Sequence, residues 1–157
     1  MMLITKAFSQ LLMRWYTGYL PQLSASIMEH QLIPLLINCF HQIRHAQHSD
    51  GSWGSIGPYE ETAYAALTLI NLINLPMFDD MRSETEAALQ KGRDFLWNRE
   101  DAPCEYLWIE KITYGSQFLM DAYVLAALHA EPETLDVRQI SMGGWKVSQR
   151  MFAVAAP

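Results

Sequence analysis

Gln47-His48-Ser49-Asp50-Gly51-Ser52-Trp53-Gly54 decides how this chain is read, together with the stretch Glu60-Glu61-Thr62-Ala63-Tyr64-Ala65-Ala66-Leu67 that follows it. Asp50-Gly51 suits the positive backbone dihedrals that most residues avoid. Trp53 offers a large flat surface and an N–H that finds a partner when buried. A small-residue helix start comes next. The plain implication is a turn between two closely packed helices, stapled by one aromatic, which any helical-repeat protein can contain. Gln47, Asp50, Gly51, Trp53 and Gly54 make up that structural turn motif.

Outward from the turn, nearly every segment follows a helical period. Leu3, Ala7, Leu11, Leu12, Trp15 and Tyr19 form one stripe, closed by Gly18 and Pro21. A second helix opens at Ser26, with Glu29 completing a capping box. It carries Leu32, Leu35, Leu36, Cys39, Phe40 and Ile43, and Pro34 predicts a kink or restart inside it. A third starts near Tyr59 and bears Tyr64, Leu67, Leu69, Ile70, Leu72, Ile73 and Leu75. Only Thr68, Asn71 and Asn74 interrupt its apolar surface, on one narrow face, so it is expected to be buried on most sides. A fourth is capped by Ser83 with Glu86 and runs to about Trp97. After a polar loop at Glu100-Asp101-Ala102-Pro103, a fifth covers about Ser116 to His129. No alternating run of strand length stands out. The fold class is all-α, with about five helices.

Composition narrows the function classes. The 157 residues are half hydrophobic and carry a formal net charge of −6. That length buries roughly two-thirds of the unfolded surface as one core. An acidic chain without a Lys/Arg cluster lacks the footprint for nucleic acid or an anionic membrane surface. Cys39 and Cys104 make no disulfide framework, which implies a reducing compartment. No apolar run is long enough to span a bilayer, and Met1 to Phe8 make a poor signal peptide. The expected setting is cytoplasmic and soluble.

Ala63-Tyr64-Ala65-Ala66-Leu67 is echoed by Ala122-Tyr123-Val124-Leu125-Ala126-Ala127-Leu128. The echo is either a repeated α-hairpin, hence a solenoid or toroid, or the chance similarity of two Ala/Leu-rich helices. From Asp136 onward, Gly143-Gly144-Trp145 and an uncapped apolar end break the pattern. The expected division is a helical unit over 1–130 and an irregular or disordered tail over 131–157, native or the product of an altered reading frame.

A second informative segment is Tyr106-Leu107-Trp108-Ile109-Glu110-Lys111-Ile112-Thr113-Tyr114-Gly115-Ser116. With the turn, Glu60-Glu61-Thr62-Ala63-Tyr64 and the Tyr123 helix, it resembles fungal class II diterpene cyclases. The likeness is to the copalyl diphosphate synthase part of the bifunctional copalyl diphosphate/ent-kaurene synthase type. It covers roughly Leu23 to Ala130, the last part of the class II region. The resemblance implies an α/α toroid, of which this chain holds a part. It also implies protonation of the terminal alkene of geranylgeranyl diphosphate, cyclisation through carbocations and deprotonation to copalyl diphosphate, with Mg²⁺ assistance. The proton donor implied is an aspartic acid of an Asp-x-Asp-Asp motif, held neutral in an apolar cavity. The chain has no such motif: Asp79-Asp80 is the only Asp-Asp doublet, and Met77 stands where the remaining member belongs. No catalytic residue is therefore assigned, and an isolated chain is expected to be inactive.

The resemblance also offers cavity or substrate-lining candidates, each with a plainer reading. Glu60 and Glu61 suit a helix dipole or a cavity with diphosphate-bound Mg²⁺. Tyr64, Trp108, Tyr114 and Tyr123 are either core rings or π-faces that stabilise carbocations. Glu110 and Lys111 are a surface pair or a diphosphate contact. His41 and His45 have zinc spacing, but the Glu of His-Glu-x-x-His is absent and Arg44 repels a cation, so no metal site is assigned. Asp79-Asp80 reads as a solvated loop. The implied partners are geranylgeranyl diphosphate in a complete domain, and the missing cyclase portion or a second copy. The alternative is a non-catalytic helical-repeat interaction module or a complementing subunit.

Overall fold

The structure, a computed structural model, describes residues 2–55, 58–98 and 117–132. Among them the fold is all-α: α1 (Met2–Tyr16), α2 (Ala25–Ile27), a π-helical turn (Met28–Leu32), α3 (Ile33–His45), α4 (Pro58–Ile73), a 3-10 helix (Pro76–Met81), α5 (Arg82–Trp97) and α6 (Gln117–His129). The expected polar loop near Glu100 and the tail beyond Pro132 lie outside the described residues.

The π-turn follows from Pro34. Proline has no N–H for the His30 carbonyl, and its ring crowds the carbonyl four residues back. The Ile33 N–H reaches instead to the Met28 carbonyl, one residue further than an α-helix allows. The anticipated kink is thus an inserted residue, and α3 restarts beyond it. The cap lies elsewhere than expected. Ser24, with extended backbone, occupies the N-cap, and Ser26 lies within α2. Ser83 likewise does not cap α5, because the 3-10 helix feeds straight into it and Met81 takes the N-cap position.

The first helix also turns a different face inward. Met2, Thr5, Ser9 and Leu12 are buried, whereas Leu3, Ala7 and Tyr19 of the expected stripe are exposed. Small hydroxyl-bearing residues let α1 approach α4, and Thr5 Oγ1 lies 3.9 Å from Cys39 Sγ on α3. Leu35, placed on the core stripe of α3, is half exposed. At its far end α1 closes on Gly18, with Tyr19 N–H on the Arg14 carbonyl and Gly18 N–H on the Trp15 carbonyl.

The core is built around α4, which packs against α1, α3, α5 and α6. Ala63, Ala66, Leu69, Leu72 and Ile73 are fully buried on it, as its all-round apolar surface requires. Phe40 of α3 stacks on Phe78 of the 3-10 helix with centroids 4.5 Å apart, and Tyr59 stacks on Phe95 at 5.1 Å. Arginines close two helix ends. Arg82 donates to the Ile73 carbonyl at 3.0 Å, and Arg93 donates to the Ala127 and Ala130 carbonyls at the end of α6.

Between α3 and α4 the turn ties three helices together. Gly51 N–H bonds the His48 carbonyl at 3.0 Å, and the Asp50 carboxylate accepts from both the N–H and the hydroxyl of Ser52. Of the Asp50-Gly51 pair, only Gly51 has positive φ, at +92°. A Cβ there would sit 2.7 Å from the Lys91 carbonyl carbon on α5. Gln47 donates to the Gly51 carbonyl and, at 2.8 Å, to the Ala88 carbonyl on α5. Trp53, 4% exposed, sends its indole N–H to the Ile43 carbonyl of α3 at 2.7 Å. Its ring lies where a Cβ on Gly92 would come within 2.7 Å, so α5 meets the indole through a residue with no side chain. Its backbone N–H bonds Thr62 Oγ1 of α4 at 2.9 Å.

Two substitutions test this junction. Gly51→Ala combines disfavoured backbone with a backbone collision, and a loss of about 2 kcal/mol or more is expected. Trp53→Phe keeps a ring but removes the indole N–H from the Ile43 carbonyl, which is left with the Ala46 N–H at 3.2 Å, for a loss of about 1 kcal/mol. Urea unfolding followed by circular dichroism measures both; midpoints equal to wild type refute the role given to the turn.

Candidate functional site

The two echoed tyrosines meet. Tyr64 on α4 and Tyr123 on α6 have ring centroids 4.9 Å apart, edge to face, with 73° between planes. Ala63, Ala66 and Ala127, all fully buried, let the two helices approach around them. The Tyr64 hydroxyl donates to Glu60 Oε1 at 2.5 Å. Burial first, and then this hydrogen bond to the carboxylate, push the Tyr64 phenol well above its ordinary range.

Beside Tyr123 opens a cleft of about 690 Å³ between α1, α4 and α6. Ser9, Asn71, Asn74 and Tyr123 line it, with Lys6 and Arg14 contributing from α1. The narrow polar face of α4 therefore borders this space. Its members are satisfied unequally: Thr68 donates to the Tyr64 carbonyl at 2.6 Å and Asn71 to the Leu67 carbonyl at 2.7 Å. Asn74 Oδ1 and Ser9 Oγ, both buried, meet no partner among the described residues. Asn74 was visible in the sequence as part of a polar face on an apolar helix. Ser9 and Thr62 were not singled out, since a lone hydroxyl residue on a helix carries no periodic signal.

The other candidates are dispersed. Glu61 lies against Gly54, where φ is +80° and a Cβ would come within 2.6 Å of the Glu61 Cβ. Trp108, Glu110, Lys111 and Tyr114 lie outside the described residues. His41 and His45 stack with centroids 6.3 Å apart on an exposed face of α3. Asp79 pairs with Arg82 at 3.4 Å. No group of three or more His, Cys, Asp or Glu is assembled among the described residues. With Glu60 engaged by a phenol and Asp79 by a guanidinium, these residues do not fit a magnesium site.

Several relatives match most of this chain. A pimaradiene synthase of Emericella nidulans is 39% identical over 127 residues, covering 81% of this chain and 13% of the relative. A copalyl diphosphate synthase of Talaromyces verruculosus is 32% identical, covering 96% of this chain and 17% of the relative. A bifunctional premutilin synthase of Clitopilus passeckerianus is 34% identical, covering 89% and 15%. Its homologues are fungal diterpene cyclases. The chain spans about 13–17% of the length of these relatives. No family model matches it, and no solved structure does. Among the described residues no helix is long and apolar enough to cross a membrane.

The raised phenols give a pH signature. Burial, with Glu29 nearby, pushes Tyr16 up to about 12, and Tyr64 rises as well. Both phenols hold their protons more tightly folded than unfolded. Their contribution to stability is complete below about pH 10 and is lost as pH climbs through the folded values. Absorbance titration of the phenolates is expected to show late-ionising tyrosines, and Tyr16→Phe and Tyr64→Phe are each expected to remove one. A single transition near pH 10 refutes the assignment.

Proposed function

We propose that this chain is the closing stretch of a class II diterpene-cyclase domain, as a fragment or truncated homologue. The observation that carries the reading is the likeness to diterpene cyclases along 81–96% of the chain, in relatives of which it covers a small part. In the complete domain the reaction is protonation-initiated cyclisation of geranylgeranyl diphosphate to copalyl diphosphate. An aspartic acid of the Asp-x-Asp-Asp motif, which this chain lacks, starts it. The contribution of the chain is to hold the Tyr64–Tyr123 pair and to complete the wall of an α/α toroid. Support for the toroid comes from α4, which packs against α1 and α6 as well as against α3 and α5. Glu60, Glu61, Trp108, Glu110, Lys111 and Tyr114 remain the proposed lining, in a cytoplasmic enzyme.

Incubation of the chain with geranylgeranyl diphosphate, followed by product analysis, is expected to yield no bicyclic diphosphate; formation above background refutes inactivity. Co-expression with a class II segment bearing Asp-x-Asp-Asp is the positive arm, and restored cyclisation supports a complementing role. The described carboxylates hold no magnesium in this reading. Millimolar Mg²⁺ should then leave the melting temperature unchanged, and a saturable rise contradicts that.

Exposed apolar side chains favour a second reading, a helical-repeat interaction module. Phe118 is 87% exposed, and Leu119, Leu125, Leu3 and Ile4 are each more than half exposed. Light scattering across concentration separates the two. A defined oligomer supports the module, and open-ended aggregation supports the fragment.

A further inference from the structure

Two exposed helix faces of this chain carry opposite charges in the same spacing. On α1, Lys6, Gln10 and Arg14 stand at four-residue steps along the edge of the cleft between α1, α4 and α6. On α5, Glu86, Gln90 and Asp94 repeat those steps with carboxylates at either end. All six are exposed. Among the described residues the ion pairs are Arg44–Glu84, Arg82–Asp79 and Arg93–Glu131, so none of these four charges is paired. Eight residues separate the two charges of each helix, about 12 Å of rise, and the two lines match over two turns.

Apolar side chains fix the direction. Trp97 ends α5 at 73% exposure, three residues past Asp94, and Leu3 opens α1 at 65% exposure, three residues before Lys6. With the helices antiparallel, Asp94 faces Lys6, Gln90 faces Gln10 and Glu86 faces Arg14. The same register brings Trp97 to Leu3, at the end of the cleft that Met2 also lines, and Ala87 to Met13. A parallel alignment matches the charges equally well but sets Trp97 against Thr17, an exposed polar residue. Lys91, one residue past Gln90, is turned about 100° away from this line. We propose that a second copy of this chain docks its α5 antiparallel along α1, with Trp97 capping the Leu3 end of the cleft. The inference supplies the partner for the interaction-module reading and rests on that reading.

Sedimentation velocity of the full 157-residue chain tests the contact, with circular dichroism to confirm that each variant is folded. The chain is expected to associate, and to do so more weakly in about 0.5 M than in about 0.05 M NaCl, because exposed charges are screened. Lys6→Glu with Arg14→Glu, and Glu86→Lys with Asp94→Lys, should each weaken association about tenfold or more, since like charges then face one another. Mixing these two double variants should restore association, because the acidic α1 of the first meets the basic α5 of the second. Trp97→Ser should weaken it about tenfold while leaving the salt dependence in place. A defined oligomer indifferent to both charge exchanges, or a mixture that fails to associate, overturns this contact and leaves the interaction reading standing. A wild-type chain that is monomeric, or that aggregates without limit, overturns both.

Discussion

The indole of Trp53 is the constraint on which the rest of the structure depends. Its N–H ends on the Ile43 carbonyl of α3, its backbone N–H on the Thr62 hydroxyl of α4, and its ring against Gly92 of α5. Three helices are thereby held by one side chain and its own peptide group. The surrounding residues serve that contact. Gly51 admits the Lys91 backbone, Gln47 reaches the Ala88 carbonyl, and the Asp50 carboxylate holds Ser52 in the turn. Thr62 returns a second bond to the Trp53 carbonyl at 3.4 Å, which clamps the turn to the start of α4 from both sides. With that geometry set, α4 is centred in the molecule, and an apolar helix with small residues on its contact faces can be covered by neighbours on most sides.

Coverage then meets its limit at the polar face of α4. Thr68 and Asn71 turn their side chains back to their own helix, bonding carbonyls four and four residues earlier. Such bonds let polar groups sit at a helix contact without a partner from outside. Asn74, at the end of the series, has no such bond for Oδ1 among the described residues, and it borders the cleft where α1 presents Ser9. The Ala63 and Ala122 segments that look alike in sequence face one another through Tyr64 and Tyr123 beside the same space.

What was legible in the sequence was whatever rests on periodicity or on a required backbone conformation. The apolar circumference of α4 marked a buried helix, Pro34 marked the irregular turn that precedes α3, and the ends of α5 and α6 fell close to Trp97 and His129. Capping was misplaced for a physical reason. A Ser-x-x-Glu pattern states that a cap is available, while the position of the helix start is fixed by the preceding chain, here extended backbone at Ser24 and a 3-10 helix before Arg82. The stripe on α1 misled because apolar residues were taken to face inward. Close approach to α4 selects small side chains instead, so Thr5 and Ser9 are buried while Leu3 and Ile4 are exposed. The meeting of Tyr64 and Tyr123 was not legible either, since a repeated pentapeptide carries no statement of which helices become neighbours.

Signature and chemistry part company in this chain. The octapeptide that most strongly marks the cyclase resemblance uses its polar atoms internally. Gln47 is spent on two carbonyls, Asp50 on Ser52, and the Trp53 indole on Ile43. A motif whose hydrogen-bonding capacity is met by its own helices specifies architecture, and its presence says little about turnover. Unspent capacity lies instead at the Ser9 hydroxyl of α1, which no sequence pattern marks, and at Asn74 Oδ1 just beyond α4, on the polar face that the sequence does show. Internal satisfaction and unspent polar capacity thus lie on different residues: the first on the turn that packs α3, α4 and α5, the second on Ser9 and Asn74.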